Sequence, residues 1–252
     1  MAGSIDTDAQ MTTRQQRLEE DINRVLSELK DRRSPLRGHA KRRMWAFRFT
    51  VRFSYVMKRI FDIVFSILAL ILLSPLFIVL AILIKATSKG PIFFVQIRVG
   101  RYGRTFPFYK FRSMYADAEK RKQELLAQNQ SADGVIFKMK KDPRITPIGR
   151  FIRRTSIDEL PQFMNVLFGD MSLVGPRPPV PSEVSQYTIE DRKRLMVKPG
   201  LTCIWQVSGR SDIPFKQQVS LDKEYIRSQS IWKDIVILLR TVPAILSGRG
   251  AY

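Results

Sequence analysis

Asp158-Glu159 is an adjacent pair of carboxylates, with Arg150, Arg153 and Arg154 just before it and Leu160-Pro161 just after. Two chemistries fit that arrangement. Ser156-x-x-Glu159 has the spacing of a capping box, and Pro161 suits a first helical turn. That reading accounts for Glu159 and leaves Asp158 without a task. In the other reading, an acidic pair at a helix N-terminus ringed by arginines is a place that holds phosphate anions. A carboxylate there could ligate Mg²⁺ or attack phosphorus. On spacing alone the cap reading wins. Lys110-Phe111-Arg112 and Pro176-Arg177-Pro178 are similar basic pieces, each most simply a surface charge. The prolines fix the backbone around Arg177, which favours an ordered guanidinium there. Gly209-Arg210 closes a segment that opens with the turn signature Lys198-Pro199-Gly200.

Composition narrows the chemistry. The 252 residues contain one cysteine (Cys203) and one histidine (His39). A disulfide scaffold, a Cys- or His-rich zinc site and Ser-His or Cys-His catalysis therefore lack their parts. No G-x-G-x-x-G or P-loop pattern is present, so dinucleotide and NTPase readings lack support. The net charge is +20, from 43 Lys and Arg against 23 Asp and Glu. It points to an anionic partner: nucleic acid, anionic lipid or a phosphorylated substrate. Residues 1–29 carry −3, residues 30–59 carry +10 and residues 60–252 carry +13.

The elements that must position these residues begin with an uncharged run of 22 residues, Ile63 to Ile84. At about 1.5 Å per residue it just matches a bilayer core of about 30 Å. Ser74-Pro75 lies at its middle, where the missing N–H predicts a kink. Basic residues flank both sides: Lys58 and Arg59 before, Lys85, Lys89 and Arg98 after. A spanning helix should carry its Lys/Arg excess on one side only. Symmetric flanks favour a helix that enters, turns at Ser74 and Pro75 and returns to the same face, with a kinked span as the alternative.

Upstream, residues 14–33 read as a polar helix with a weak apolar stripe, ended by Ser34-Pro35. Trp45 to Tyr55 fits a strand by alternation and a helix by the spacing of Trp45, Phe49 and Phe53; either suits a headgroup layer. Downstream, Ile92–Val95 and Phe106–Phe111 read as strands across the turn Gly100-Arg101-Tyr102-Gly103. Helical spacing recurs over Ser113–Gln128, Ile148–Thr155, Leu160–Leu167 and Ile231–Val242. The last is a core helix or an interfacial one.

Taken in order, these pieces resemble the bacterial sugar transferases, the monotopic polyprenol-phosphate phosphoglycosyl transferases that start exopolysaccharide or O-antigen assembly. The resemblance runs from about Lys58 to Tyr252. It is carried by KRIFDIVFSILALILLSPLF, DPRITPIGRFIRRTSIDELPQFMNVLFGDMSLVGPRP, KPGLTCIWQVSGR and LSGRGAY. It implies a helix-rich α+β chain of short form with three parts: a basic cytosolic tail (1–57), a re-entrant membrane helix hairpin (58–90) and a compact cytosolic catalytic domain with interfacial helices and a few short strands (91–252). It implies transfer of hexose-1-phosphate from a UDP-sugar to undecaprenyl phosphate at the cytoplasmic face of the bacterial inner membrane. Asp158 matches the family's nucleophile and Glu159 its Mg²⁺ ligand. Arg153, Arg177 and Arg210 match phosphate-binding arginines, with Lys110 and Arg112 as weaker candidates. Anionic membrane lipid and a second copy of the chain are further candidate partners, and nucleic acid is not. The late turn departs from the commoner family text, reading Cys203-Ile204-Trp205-Gln206-Val207-Ser208, which bears on sugar choice. A non-catalytic membrane scaffold recruiting glycan-assembly proteins through residues 1–57 is the competing class. It leaves the arginine-ringed dyad idle.

Overall fold

The computed structural model describes residues 5–125, 139 and 142–247. The end of the Ser113–Gln128 segment and the final Gly-Arg-Gly-Ala-Tyr lie outside them. The chain divides into two units, Met1–Tyr55 and Val56–Tyr252.

Helix α1 (Ile5–Thr87) supplies all of the first unit that is described. It runs through Ser34-Pro35, where the sequence suggests a stop. Proline's fixed φ is itself helical, so one hydrogen bond is lost and the helix resumes. Trp45, Phe49 and Phe53 settle the ambiguous segment as helix. At i, i+4 and i+8 their rings stack 6.0 and 6.3 Å apart on an exposed face. The side chains of Leu18, Ile22, Val25, Leu26 and Leu29 lie outside the described residues.

In the second unit α1 continues unbroken through Ser74 and Pro75. The reason is local. Pro75 has no N–H for the carbonyl of Ile71, four residues back, and the Ser74 hydroxyl donates to that carbonyl at 2.8 Å. The pair therefore repairs the gap that the proline makes.

Strands β1 (Phe93–Val99) and β2 (Thr105–Phe111) form an antiparallel hairpin in register from Phe93↔Phe111 to Val99↔Thr105. Helix α2 (Ala118–Leu125) follows. Helix α3 (Pro147–Arg154) is capped by Thr146, whose side chain accepts from Gly149 N at 2.9 Å. Helix α4 (Gln162–Phe168) ends at Gly169 in the left-handed region, as a C-terminal glycine should. Strand β3 (Ser172–Val174) pairs in parallel with β4 (Gly200–Thr202). The backbones then close to contact: a Cβ added at Gly200 would lie 2.0 Å from Gly175 N. Between and beyond lie α5 (Pro181–Val184), α6 (Ile189–Arg192), α7 (Ile204–Ser208), α8 (Phe215–Arg227) and α9 (Ile231–Ser247). The helix-rich α+β reading holds.

Both halves of the apolar run dock on the rest of this unit. Phe61, Ala69, Leu70 and Leu73 pack against a core of Phe106, Phe108, Phe163, Val166, Leu173, Val174 and Tyr225. Beyond Pro75, Leu80 and Ile84 are buried with Phe111 and Ile152. Polar contacts fasten each end. At the start, Asp62 Oδ1 accepts from Leu173 N at 3.0 Å and Ser172 Oγ at 3.1 Å. Arg59 donates to the last carbonyls of α4, Val166 and Leu167, at 2.6 and 2.8 Å. At the far end, Arg112 donates to Ser88 O at 2.6 Å.

The opposite face of α1 stays apolar and exposed, with Leu68, Ile71, Leu72, Ile78 and Ile82 each more than 60% accessible. Helix α9 has the same inverted character. It buries Asp234 and exposes Trp232, Leu239, Val242 and Leu246. On β1, Phe93, Phe94, Val95 and Ile97 are exposed as well. Arg52–Thr87 is long and apolar enough to cross a membrane. A surface with this much exposed hydrocarbon is one that another apolar phase covers.

Candidate active site

Asp158 and Glu159 sit in a single 3₁₀ turn, Ile157–Glu159, wedged between α3 and α4. The capping box suggested by the spacing does not form. Ser156 lies in the left-handed region at φ 55°, and its side chain caps nothing. The Ser156 hydroxyl instead accepts from Arg210 Nη2 at 3.2 Å. Arg210 is also left-handed at φ 55°. Two residues without the freedom of glycine are thus held in a sparsely populated backbone region and bonded to each other. Strain of that kind persists only where the surroundings impose it.

Asn165 sets the distance between the dyad and β2. Its Nδ2 donates to Pro107 O at 2.6 Å, and its Oδ1 accepts from Tyr109 N at 3.1 Å. The next residue of β2, Lys110, then reaches the dyad. Its Nζ is 2.6 Å from Glu159 Oε1 and 3.9 Å from Asp158 Oδ2. Arg177 Nη1 stands 3.3 Å from the same Glu159 oxygen. Its segment is anchored on one side by Gly200 N donating to Pro176 O at 2.9 Å, and on the other by Val99 N donating to Pro179 O at 2.9 Å.

The two carboxylates differ in circumstance. Glu159 is gripped by two cations. Burial alone would raise its pKa, but the Lys110 ammonium and the Arg177 guanidinium hold it well below the usual carboxylate range. Asp158 is buried and, among the described residues, makes no hydrogen bond; its one ion pair is the 3.9 Å contact with Lys110. Desolvation pushes it up to about 6, against the pull of Lys110 and with the push of the Glu159 charge. Lys110 is lowered, first by burial. One carboxylate is pinned and firmly ionised; its neighbour has only the long ion pair to Lys110 and is costly to ionise.

Arg153 adds positive potential at Asp158 without a direct bond to it. Arg210 does the same at Glu159. Arg112, two residues after Lys110, goes elsewhere: its Nη2 donates to Ser88 O, Ser88 Oγ and, at 3.5 Å, Ile84 O. It fastens the end of α1 and is not brought to the dyad. Arg98 is a further member of the site that no motif marks. The structure puts its guanidinium 5.3 Å over the Phe108 ring and close enough to Arg177 and Glu159 to feel both charges. Nothing in its immediate sequence marks it, since it reads as one more basic flank of the apolar run.

Among these groups, Arg98, Lys110, Arg153, Arg177 and Arg210 outnumber the carboxylates Asp158, Glu159 and Glu183. The surplus suits a ligand with about two negative charges. Among the described residues no group of three or more His, Cys, Asp or Glu side chains gathers. Two adjacent carboxylates with hard oxygen donors nevertheless fit Mg²⁺, which takes one or two carboxylates and draws its remaining ligands from water and substrate phosphate.

The family model for the bacterial sugar transferases matches residues 53–248. The chain is 52% identical over 197 residues to the galactosyl transferase CpsE of Streptococcus agalactiae, covering 78% of this chain and 43% of that one. It is 49% identical over 205 residues to the undecaprenyl-phosphate galactose phosphotransferase of Salmonella typhimurium, covering 80% of this chain and 43% of that one. It therefore spans less than half the length of these two relatives. Against the exopolysaccharide production protein ExoY of Sinorhizobium fredii it is 40% identical over 200 residues, covering 78% of this chain and 88% of that relative.

Proposed function

The chain belongs to the bacterial sugar transferase family, and from that membership we propose that it transfers a hexose-1-phosphate from a UDP-sugar to undecaprenyl phosphate, the first step of a surface glycan. The observation that carries the proposal is the inequality of the dyad: a buried Asp158 with only a long ion pair to Lys110, beside a cation-gripped Glu159, inside a surplus of positive charge.

Asp158 is the nucleophile. One carboxylate oxygen bonds to the sugar-linked phosphorus of the donor, and the bond from that phosphorus to the bridging oxygen breaks. UMP leaves with the electron pair. An oxygen of the lipid phosphate then bonds to the same phosphorus, and the Asp158 carboxylate is released. A carboxylate is a weak nucleophile, and a desolvated one is more reactive because it has no water shell to shed. Arg177, Lys110, Arg210 and Arg153 neutralise the diphosphate and the charge that grows on its oxygens. Glu159 would hold Mg²⁺, which supplies further neutralisation of phosphate charge.

The topology reading places both ends of the apolar run on the cytoplasmic side, with α1 dipping into the bilayer while it stays helical through Ser74 and Pro75 rather than turning there as a hairpin. It is supported by contacts at both ends of the apolar run with one body. Asp62 binds β3 before the run, and Arg112 binds Ser88 after it. Ends held by one domain belong on one side of a bilayer. Anionic lipid is the expected partner of residues 30–59, with their charge of +10 and the exposed Trp45, Phe49 and Phe53.

The test uses the full chain in membranes carrying undecaprenyl phosphate. Wild-type protein releases UMP from a UDP-sugar and, without acceptor, retains labelled phosphosugar covalently. Asp158→Asn does neither. Normal turnover by that variant would overturn the mechanism, and absence of UMP release by the wild type across a panel of UDP-hexoses would overturn the function.

A further inference from the structure

We infer that Arg98 is a positioning residue: it fixes the backbone that aims Arg177 at the donor diphosphate. The inference rests on the phosphate-transfer reading above. Residues 176–181 read Pro-Arg-Pro-Pro-Val-Pro. Prolines donate no backbone hydrogen bond, so this segment cannot be stitched into a ladder by its own N–H groups. Of its N–H groups, that of Val180 is turned to Glu183 Oε2 at 3.2 Å, within its own helix start, so the carbonyls are the handles by which the rest of the fold holds it. Gly200 takes that of Pro176 and Val99 that of Pro179. The carbonyl directly after Arg177, Pro178 O, is taken by Arg98 Nη1 at 3.0 Å.

The rest of Arg98 is held as a strut. Nη2 donates to Gln96 Oε1 at 2.7 Å, and the guanidinium plane lies over Phe108. Phe108 is buried on β2, two residues from Lys110. The strut thus spans from the strand that carries Lys110 to the loop that carries Arg177, the two cations on Glu159. Arg98 is half-buried and, among the described residues, forms no ion pair with a carboxylate, while a second cation stands beside it. A partly desolvated charge bonded only to neutral oxygens is costly, and a neutral side chain would hold a carbonyl at lower cost. The planar fork is the feature that a neutral residue lacks. It bonds Pro178 O and Gln96 at once while stacking on a ring, which a lysine's single ammonium cannot do.

The experiment compares Arg98→Lys, Arg98→Gln and Gln96→Leu with wild type in UMP release, and repeats Arg98→Lys in an Arg177→Lys background. Arg98→Lys should raise KM for the UDP-sugar about tenfold with kcat changed less than about threefold. Gln96→Leu should move KM the same way by less. In the Arg177→Lys background the Arg98 substitution should add little, because the group it aims is already altered. Melting curves report folding; if Arg98→Gln does not fold, Arg98→Lys and Gln96→Leu carry the test. Unchanged KM in folded variants, or effects that simply add to those of Arg177→Lys, would overturn the inference while wild-type turnover leaves the proposed function standing. A wild type that releases no UMP removes both.

Discussion

Two buried clusters of charge in the same unit invite comparison. In one, Lys58 Nζ pairs with Asp234 and donates to Val174 O at 3.2 Å. Tyr225 Oη donates to Asp234 Oδ1 at 2.7 Å. One cation faces one carboxylate, and the remaining polar atoms are bonded to each other. In the other cluster, around Asp158 and Glu159, cations exceed carboxylates and Asp158 has no hydrogen bond among the described residues. The first is closed: its charges complete one another, and it ties α1, β3, α8 and α9 together. The second is open: its charges wait for a ligand. Balance marks a joint in the fold, and imbalance marks a site. Neither property is visible from residue type, since both clusters are built from Lys, Asp and their polar neighbours.

Several substitutions would break or sharpen that contrast. The largest effect is expected in the open cluster. Asp158→Asn should lower UMP release by at least about 10³-fold, as loss of a nucleophile does, while leaving the fold intact. In the closed cluster the outcome should reverse. Lys58→Met strands the Asp234 carboxylate in the interior and should cost about 3–5 kcal/mol of stability, read in a denaturant or thermal melt. Its surviving folded fraction should turn over at close to the wild-type rate. A Lys58 variant that melts like wild type but loses turnover would show that the joint is part of the site.

The pH response follows from Asp158, whose folded pKa is pushed up to about 6 by burial. Attack needs the ionised form, so turnover should fall about tenfold per pH unit below about 6 and level off above it. The sign for stability is opposite. A folded pKa above the unfolded value of about 3.9 means that Asp158 favours folding when protonated. That contribution is fully present below about pH 4 and disappears as pH rises through about 6. Asp158→Asn should therefore melt higher than wild type at pH 7.5, with the gap closing toward pH 4. Equal melting points at pH 7.5 would contradict the desolvated state of the carboxylate.

Smaller effects are expected where α1 is fastened. Asp62→Asn keeps an acceptor but gives up the carboxylate's hold on Leu173 N and Ser172, and should cost about 1–3 kcal/mol. Ser74→Ala frees the Ile71 carbonyl and should cost about 1 kcal/mol in detergent. A larger loss in bilayers would show that this carbonyl faces hydrocarbon, where no water can replace the hydroxyl.

Much of this molecule is legible in the residues themselves. The apolar run, the strands around Gly100–Gly103, the helical spacing after Pro147 and the ordered Pro-Arg-Pro segment all follow from local rules, and the structure contains them. The misses are also specific. Ser156-x-x-Glu159 has the spacing of a capping box, yet Ser156 turns left-handed because Arg210, more than fifty positions later, claims its hydroxyl. Lys110 and Arg112 look equivalent in sequence. They part because Ser88, just past the end of α1, presents its carbonyl and hydroxyl to one, and the dyad presents a carboxylate to the other. Arg98 gives no local signal, because its partners are a carbonyl eighty positions later and a ring on the facing strand.

The sequence by itself determined which chemistry is available: an acidic pair, arginines in surplus, an uncharged helix with basic flanks, and neither zinc nor thiol–histidine catalysis. Those properties are additive over residues or set by neighbours a few positions away. Tertiary structure alone decided how that chemistry is divided, pinning Glu159 and leaving Asp158 only a long ion pair, sending Arg112 to the end of α1 and setting Arg98 behind Arg177. Desolvation and charge pairing depend on distances through space between remote segments, and no local pattern in the chain encodes those distances.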